Sequence, residues 1–365
     1  MKNIIKTLIV MLSSVSLFTS ANAGELSVSG TAKATYNILS GKTNKGKGLG
    51  ITNELNFTAA GELDNGYTWS YSMELDPGAT SAATETTGTN TQSAQNDDTK
   101  LTLGTPYGTV GVFISEGGLD VEDAASQSVY GRPTDIGDPS STTDNFTIDS
   151  YNNIQYHTPA DMLPFGITGK VAYATGLDAY GSGNNAGGII TDAAQGMGDN
   201  ATEYQIKAAP IDGLGIGASY ITFNGSGITG TTDAQTQQEP ESGAYYATYA
   251  TGPFSAGYSR GHRANIVGSL TAGTGVETVD NYDQQNMSIA YAVSDDLSIS
   301  YEKETSEANY VLNTTADVEQ VSKSLQVAYT MGGMTLAVAH GSYDNNAYVT
   351  GDNTDQTLFA VTMAF

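Results

Sequence analysis

The stretch YTWSYSMELD, residues 67–76, sets Tyr67, Trp69, Tyr71, Met73 and Leu75 against Thr68, Ser70, Ser72, Glu74 and Asp76. Bulky and polar side chains alternate strictly, and only an extended strand puts successive residues on opposite faces. ELSVSGTAKATYN repeats the pattern, with Leu26, Val28, Ala32, Ala34 and Tyr36 on one face. So does NELNFTAAGEL, with Leu55, Phe57, Ala59 and Leu63. The 3.6-residue spacing of a helix is almost absent. Period-2 segments fall near 25–37, 51–63, 66–76, 97–105, 108–115, 151–159, 165–176, 201–210, 213–223, 243–252, 253–262, 283–293, 296–305, 319–331, 333–343 and 354–365, sixteen predicted strands in an all-β chain.

The connections carry a second regularity. Tight turns at 64–66, 105–108, 210–213, 294–296 and 331–333 place Gly, Pro, Asn or Asp where a fixed or positive φ is needed. Long polar loops are expected at 38–50, 77–96, 116–150, 177–200, 224–242, 263–282, 306–318 and 344–353, so short and long alternate. So many long loops argue against a compact soluble domain. They fit a transmembrane β-barrel with short periplasmic turns and long external loops, in which apolar residues face lipid and polar ones face the lumen. At about 16 strands such a barrel holds an aqueous channel.

The N-terminus agrees with export. MKNIIK is basic, TLIVMLSSVSLF is apolar and Ala21-Asn22-Ala23 is a small-x-small cleavage site, so residues 1–23 read as a secretory signal peptide and 24–365 as the mature barrel. Removing Lys2 and Lys6 leaves 12 basic residues against 39 acidic ones, which disfavours nucleic acid as a partner. There is no cysteine, so disulfides play no part. No mature segment reaches 18 consecutive apolar residues, which excludes a membrane-spanning helix. The many outward tyrosines, among 22 in all, suit interfacial girdles.

Three features resemble the Gram-negative general porins of alphaproteobacterial type: the cleavage site before a polar-alternating first strand, the segment NNIQYHTPADMLPFGITGKVAYAT, and the final strand DQTLFAVTMAF ending in Phe365. The resemblance spans the mature chain and implies a 16-stranded antiparallel barrel, homotrimeric, in the outer membrane. It implies passive diffusion of ions and small hydrophilic solutes, with a third external loop folded inward. Met363 stands where the family's usual aromatic lies, and the Pro-Glu-Phe-Gly-Gly signature of enteric members is absent. The final strand has Phe359, Val361, Met363 and Phe365 facing lipid, but Leu358 then falls on the lumen side.

By that analogy loop 116–150 is the candidate pore constriction, carrying Glu116, Asp120, Glu122, Asp123, Asp135 and Asp138 with Arg132 as its one base. Carboxylates in a narrow mouth concentrate cations, so a cation preference is expected. Parity puts Lys33, Lys100, Lys170 and Lys207 on the lumen wall, together with acids Glu54, Glu62, Glu74, Glu203, Glu302 and Glu304. These inward polar groups read equally well as ordinary water-facing positions. Gly257-Tyr258-Ser259-Arg260-Gly261 matches the serine-hydrolase elbow, followed by His262, but it lies in a strand pattern with no helix after it. Gly41-Lys42-Thr43 lacks the first glycine of a phosphate loop. No enzyme activity, catalytic residue, cofactor or metal centre is expected; His157 and His340 have no partner at ligand spacing. Acidic external stretches such as 92–98 offer at most a weak Ca²⁺ site that could bridge to anionic lipopolysaccharide. The competing readings are a secreted or surface-layer acidic β-protein or adhesin, and an outer-membrane barrel lipase or protease.

Overall fold

The computed structural model describes residues 25–77, 94–136, 143–175, 200–224, 238–265, 279–311 and 315–365. The signal-peptide segment 1–23 and Asp138 lie outside them. Sixteen strands follow one another in the order expected: β1 (Glu25–Gly41), β2 (Gly46–Glu62), β3 (Thr68–Pro77), β4 (Ala94–Thr105), β5 (Gly108–Ile114), β6 (Asn153–His157), β7 (Thr168–Ala174) and β8 (Asn200–Ile211). The second half holds β9 (Leu214–Asn224), β10 (Glu241–Thr251), β11 (Phe254–Ala264), β12 (Val279–Ala292), β13 (Leu297–Tyr310), β14 (Val318–Met331), β15 (Met334–Asp344) and β16 (Thr354–Ala364). Each pairs antiparallel with its chain neighbours, and β1 pairs with β16, so the sheet closes on itself. Closure leaves no strand edge to template a foreign chain.

The closing register runs from Thr31 opposite Ala364 to Gly41 opposite Thr354. The ladder continues to the last residue: the Phe365 N–H donates to the Gly30 carbonyl at 3.0 Å, and the Gly30 N–H donates back at 2.8 Å. Phe359, Met363 and Phe365 point outward and are exposed. The Phe359 ring lies 6.5 Å from that of Tyr36, its register partner on β1.

Several boundaries differ from the sequence reading. The loop expected at 38–50 shrinks to a turn over 42–45, because Gly46–Gly50 pairs with β1 despite its glycines. β6 and β7 are shorter than 151–159 and 165–176, and the connection 158–167 is long although it lies on the short-turn rim. Pro159 and Pro164 cannot donate to a ladder, so pairing stops there. Beyond Tyr310 the loop is 311–317, since β13 and β14 extend further than expected.

The interior is filled unevenly. Apolar clusters lie inside the wall: one joins Leu119 and Ile148 to Ala172, Ala174, Ala201, Ile221 and Phe223. A second joins Ala328, Ala337, Leu358 and Ala360 under Val129 and Tyr130. Leu358 is therefore inward and buried, 3% exposed, against the segment between β5 and β6. Its parity misfit follows from an internal contact that strand periodicity does not encode.

Candidate functional site

β5 ends at Ile114, and Ser115 takes a left-handed backbone with φ 51°, rare for a residue with a side chain. Gly117 follows at φ 82°. The chain then leaves the wall and runs along the inside of the barrel, strand by strand. Gln205 Nε2 on β8 donates to the Leu119 carbonyl at 2.6 Å. On β9, Ser219 Oγ accepts from the Val121 N–H at 3.1 Å. Ser259 on β11 donates to the Glu122 carbonyl and Ser288 on β12 to the Ala125 carbonyl, each at 2.6 Å. The Val129 N–H donates to Ser300 Oγ on β13 at 3.0 Å, and the Tyr130 N–H to Gln326 Oε1 on β14 at 3.0 Å. Tyr343 on β15 donates to the Pro133 carbonyl at 2.7 Å, and Gln356 on β16 to the Ile136 carbonyl at 2.8 Å.

From residue 143 the segment comes back along the same wall. Thr143 N–H donates to Tyr348 Oη at 3.0 Å, and Arg263 Nη1 donates to the Asp144 carbonyl at 2.6 Å. Phe146 N–H donates to Ser242 Oγ at 2.9 Å and Ile148 N–H to Glu203 Oε2 at 2.8 Å. An irregular backbone inside a barrel must have its donors and acceptors satisfied. Here serines and glutamines of the inner wall supply the partners, so Ser219, Ser259, Ser288, Ser300, Gln326 and Gln356 are buried. Their polarity answers the segment's peptide groups. Parity alone marks them only as inward.

The stretch resembling a hydrolase elbow acquires a structural reading. Gly257, Ser259 and Gly261 share the inward face of β11, where the segment lies against the strand. A Cβ on Gly257 would overlap the Ala125 carbonyl oxygen and lie 2.7 Å from its carbon and 3.0 Å from Ser288 Oγ. One on Gly261 would come within 3.0 Å of Asn145 Nδ2 and 3.1 Å of Glu122 Oε2. His262 lies on the opposite face, where Nδ1 is 2.8 Å from Asp283 Oδ1.

The charges converge on Arg132. Its Nε lies 2.6 Å from Glu304 Oε1, Nη1 pairs with Asp123 and Nη2 is 3.7 Å from Asp144 Oδ1. Burial opposes its charge, but Glu304, Asp123, Asp144 and Glu122 outweigh that and hold the guanidinium firmly protonated. Glu304 also accepts from the Thr134 N–H at 3.1 Å and its Oγ1 at 2.9 Å. Next to it, Glu302 accepts from Ser126 Oγ at 2.6 Å.

The sequence-chosen acids divide in two. Asp120 and Glu122 sit between segment and wall: Asp120 accepts from Ser219 Oγ at 3.1 Å, and both Glu122 oxygens face the Asn145 N–H at 3.1 and 3.2 Å. Burial, followed for Glu122 by repulsion from Asp120, Asp144 and Asp123, pushes both carboxyls above the ordinary range. Asp135 is raised by burial too. Asp123 remains open to the lumen, and Glu116 lies 3.2 Å from Lys100 Nζ. Asp144, Glu302, Glu304 and Arg263 complete the cluster. Asp144 and Arg263 escaped the sequence-based selection; burial pushes Asp144 up to about 6, with Arg132 working against it.

Lys33 Nζ stands 5.7 Å from the Tyr130 ring, across from the segment. Lys170 feels both Lys207 and Lys100, so these three form a basic group on the β4–β8 side of the wall. Glu54 accepts from Asn56 Nδ2 at 2.7 Å on the β2 wall, and Glu74 lies on β3. Among the described residues no group of three or more His, Asp or Glu side chains is placed to hold a metal ion.

A family model described as Gram-negative porin matches residues 8–365. The chain belongs to the Gram-negative porin family. Among solved structures, the porin is similar to OmpF of Salmonella typhi in complex with daunomycin, at 14% identity and TM-score 0.63, covering 94% of this chain and 98% of that one. A loop-deleted OmpT of Vibrio cholerae gives 14% identity and TM-score 0.59 over 94% and 100% of the two chains. A mutant Rh. blastica porin gives 13% and 0.56 over 93% and 100%. No curated protein matches by sequence. The porin is a diffusion channel of the outer membrane, which sets aside the surface-layer and adhesin reading.

Proposed function

We propose that segment 115–152 is the constriction of this porin, and that water, ions and small hydrophilic solutes pass between it and the β1–β5 side of the wall. The observation that carries the proposal is the docking of the described residues of this segment, strand after strand, along the inner face of β8–β16. Lys33 and Lys100 meet the segment from the other side, through Tyr130 and Glu116. On this reading Asp123 and Asp144 face the passage, and with Glu54, Glu62 and Glu74 these five carboxylates outnumber the four wall lysines Lys33, Lys100, Lys170 and Lys207. The channel then prefers cations, because carboxylates in a narrow low-dielectric mouth attract counter-ions and repel anions.

Glu116, Asp120, Glu122, Asp135 and Arg132 serve the same constriction by holding its shape. Lys170 and Lys207 add a basic stretch that orients dipolar solutes. No chemistry accompanies passage: Ser259 spends its proton on the Glu122 carbonyl, and its face of β11 carries no histidine or carboxylate to serve as a general base. A homotrimer and Ca²⁺ on the 92–98 stretch complete the proposal; the side chains of 92–97 lie outside the described ones. The reversal potential of purified protein in a tenfold KCl gradient tests the selectivity. Its sign should report cations as the faster ion, and a sign reporting anions would overturn the assignment.

A further inference from the structure

On the periplasmic side of the docked segment, the inner wall carries positive charge that the protein itself does not answer. β8 runs from the long-loop rim toward the short-turn rim, so Lys207 lies one inward step beneath Gln205, whose side chain holds the Leu119 carbonyl. On β7, Lys170 stands directly opposite Gln205, and Thr168 stands opposite Lys207. The two lysines are therefore diagonal neighbours on one face of the sheet, with Cβ atoms about 7–8 Å apart. That face is the inner one, since Ala172, Ala174, Glu203 and Gln205 share its parity and are buried.

Neither Lys170 nor Lys207 forms an ion pair among the described residues. Lys170 lies within electrostatic reach of Lys207 and Lys100, and of the three only Lys100 has an acid, Glu116 at 3.2 Å. The acids above them are engaged elsewhere: Asp120 accepts from Ser219 Oγ, and Glu203 from the Ile148 N–H. His157, opposite Lys170 on β6, turns Nε2 to Gln155 Oε1 at 2.8 Å. Two neighbouring ammonium groups on one face repel unless an anion lies between them.

The ground beside Lys207 is cleared and propped. Gly217 on β9 is its register partner, and Tyr246 on β10 is the partner of Gly217. A Cβ on Gly217 would meet Tyr246 Cε1 at 2.6 Å and Lys207 Cγ at 3.0 Å. The tyrosine ring and the lysine stem thus meet over the glycine, so the stem packs on apolar surface while its ammonium group stays free.

We propose that Lys170 and Lys207 form a subsite for doubly charged oxyanions on the periplasmic side of the constriction. A phosphate monoester and a small dicarboxylate share that chemistry. Flexible stems let both ammonium groups close on one such solute, with the Thr168 hydroxyl beside them. A dianion answers both lysines and removes their repulsion, whereas a monoanion answers one. A channel whose narrowest part favours cations thereby keeps a station for anionic solutes. The proposal rests on the constriction reading, which leaves these lysines open to solutes below the segment.

Isothermal titration calorimetry of the purified barrel in nonionic detergent, at low salt, tests the site. The probes are glycerol 3-phosphate and succinate, at a mildly alkaline pH where a phosphate monoester is a dianion; acetate and glycerol are the comparators. At least one dianion should bind, the tighter of the two naming the solute class, with acetate about tenfold weaker and glycerol giving no signal. Lys170→Gln and Lys207→Gln should each weaken binding roughly tenfold, and Lys207→Arg should keep most of it. Lys47→Gln makes the same change of net charge on the exposed external end of β2 and should bind as wild type does. Heat-modifiable gel migration reports that each variant is folded. Acetate binding as tightly as the dianions would overturn the proposal, as would unchanged affinity in either lysine-to-glutamine variant or an equal loss in Lys47→Gln. A wild-type protein that conducts ions but binds neither dianion would refute the subsite and leave the channel standing. One that binds a dianion but gives no current steps would refute the passage and leave the subsite standing.

Discussion

Gly257→Val tests whether the inner segment defines the passage. A Cβ at this position would overlap the Ala125 carbonyl oxygen and lie 2.7 Å from its carbon. Ordinary carbon contacts need about 3.5 Å, so the segment must retreat by about 1 Å. That retreat breaks or stretches the Ser288 and Ser259 hydrogen bonds to the Ala125 and Glu122 carbonyls, both 2.6 Å, and the 3.1 Å bond from the Gln127 N–H to Ser288. At about 1 kcal/mol for each bond, the local docking loses about 3 kcal/mol. The strand itself tolerates valine well, and closure by the β1–β16 ladder is far away. The barrel should therefore form while the segment loosens. Planar-bilayer recording should give an altered single-channel conductance with more current noise, and Gly48→Ala, where a Cβ meets nothing within 4 Å, should behave as wild type. A Gly257→Val protein that folds normally, yet shows wild-type conductance and noise, would refute the claim that contact with β11 positions the constriction.

Other expectations follow from the same geometry. Glu304→Ala removes the 2.6 Å partner of Arg132 and both Thr134 contacts, leaving a buried guanidinium short of an acceptor; a cost of about 3 kcal/mol is expected, read as a lower unfolding temperature and a noisier channel. Asp144 has its pKa raised to about 6, so the docked segment favours its protonated form, and that stabilisation is lost as the pH rises through 6. Cation selectivity should accordingly fall between pH 7 and pH 5 while the segment stays docked, and Asp144→Asn should flatten that part of the profile. Deleting Phe365 removes two backbone hydrogen bonds of the closing ladder; assembled yield should drop while conductance of the surviving channels is kept, as heat-modifiable gel migration and bilayer recording would show.

Strand number and order were legible because the period of two is a local property. Tyr67–Leu75 or Phe359–Phe365 shows it without any knowledge of the partner strand. The same parity put Lys33, Lys170, Glu203 and Glu302 on the inner face, but it could not say what covers them. A serine facing water and a serine facing a peptide carbonyl look alike in sequence, which is why Ser288 gives no signal and Ser259 stands out only as part of a catalytic look-alike. Leu358 is the visible clue, since a large apolar residue on a lumen face needs an internal partner. Gly257 and Gly261 were a second, read first as part of a catalytic look-alike. Asp144 and Arg263 were missed for another reason: they enter the site through the return path of the segment, and no spacing along the chain encodes that fold-back.

The central claim is a water-filled channel narrowed from within by residues 115–152. Single-channel recording of the purified wild-type protein across a series of KCl concentrations, with neutral polymers of graded size added, tests it most directly. Stepwise currents that scale with salt and a sharp polymer cut-off, shifted to larger polymers by Gly257→Val, are predicted. A folded protein that gives no current steps, or a cut-off that Gly257→Val leaves in place, would contradict it.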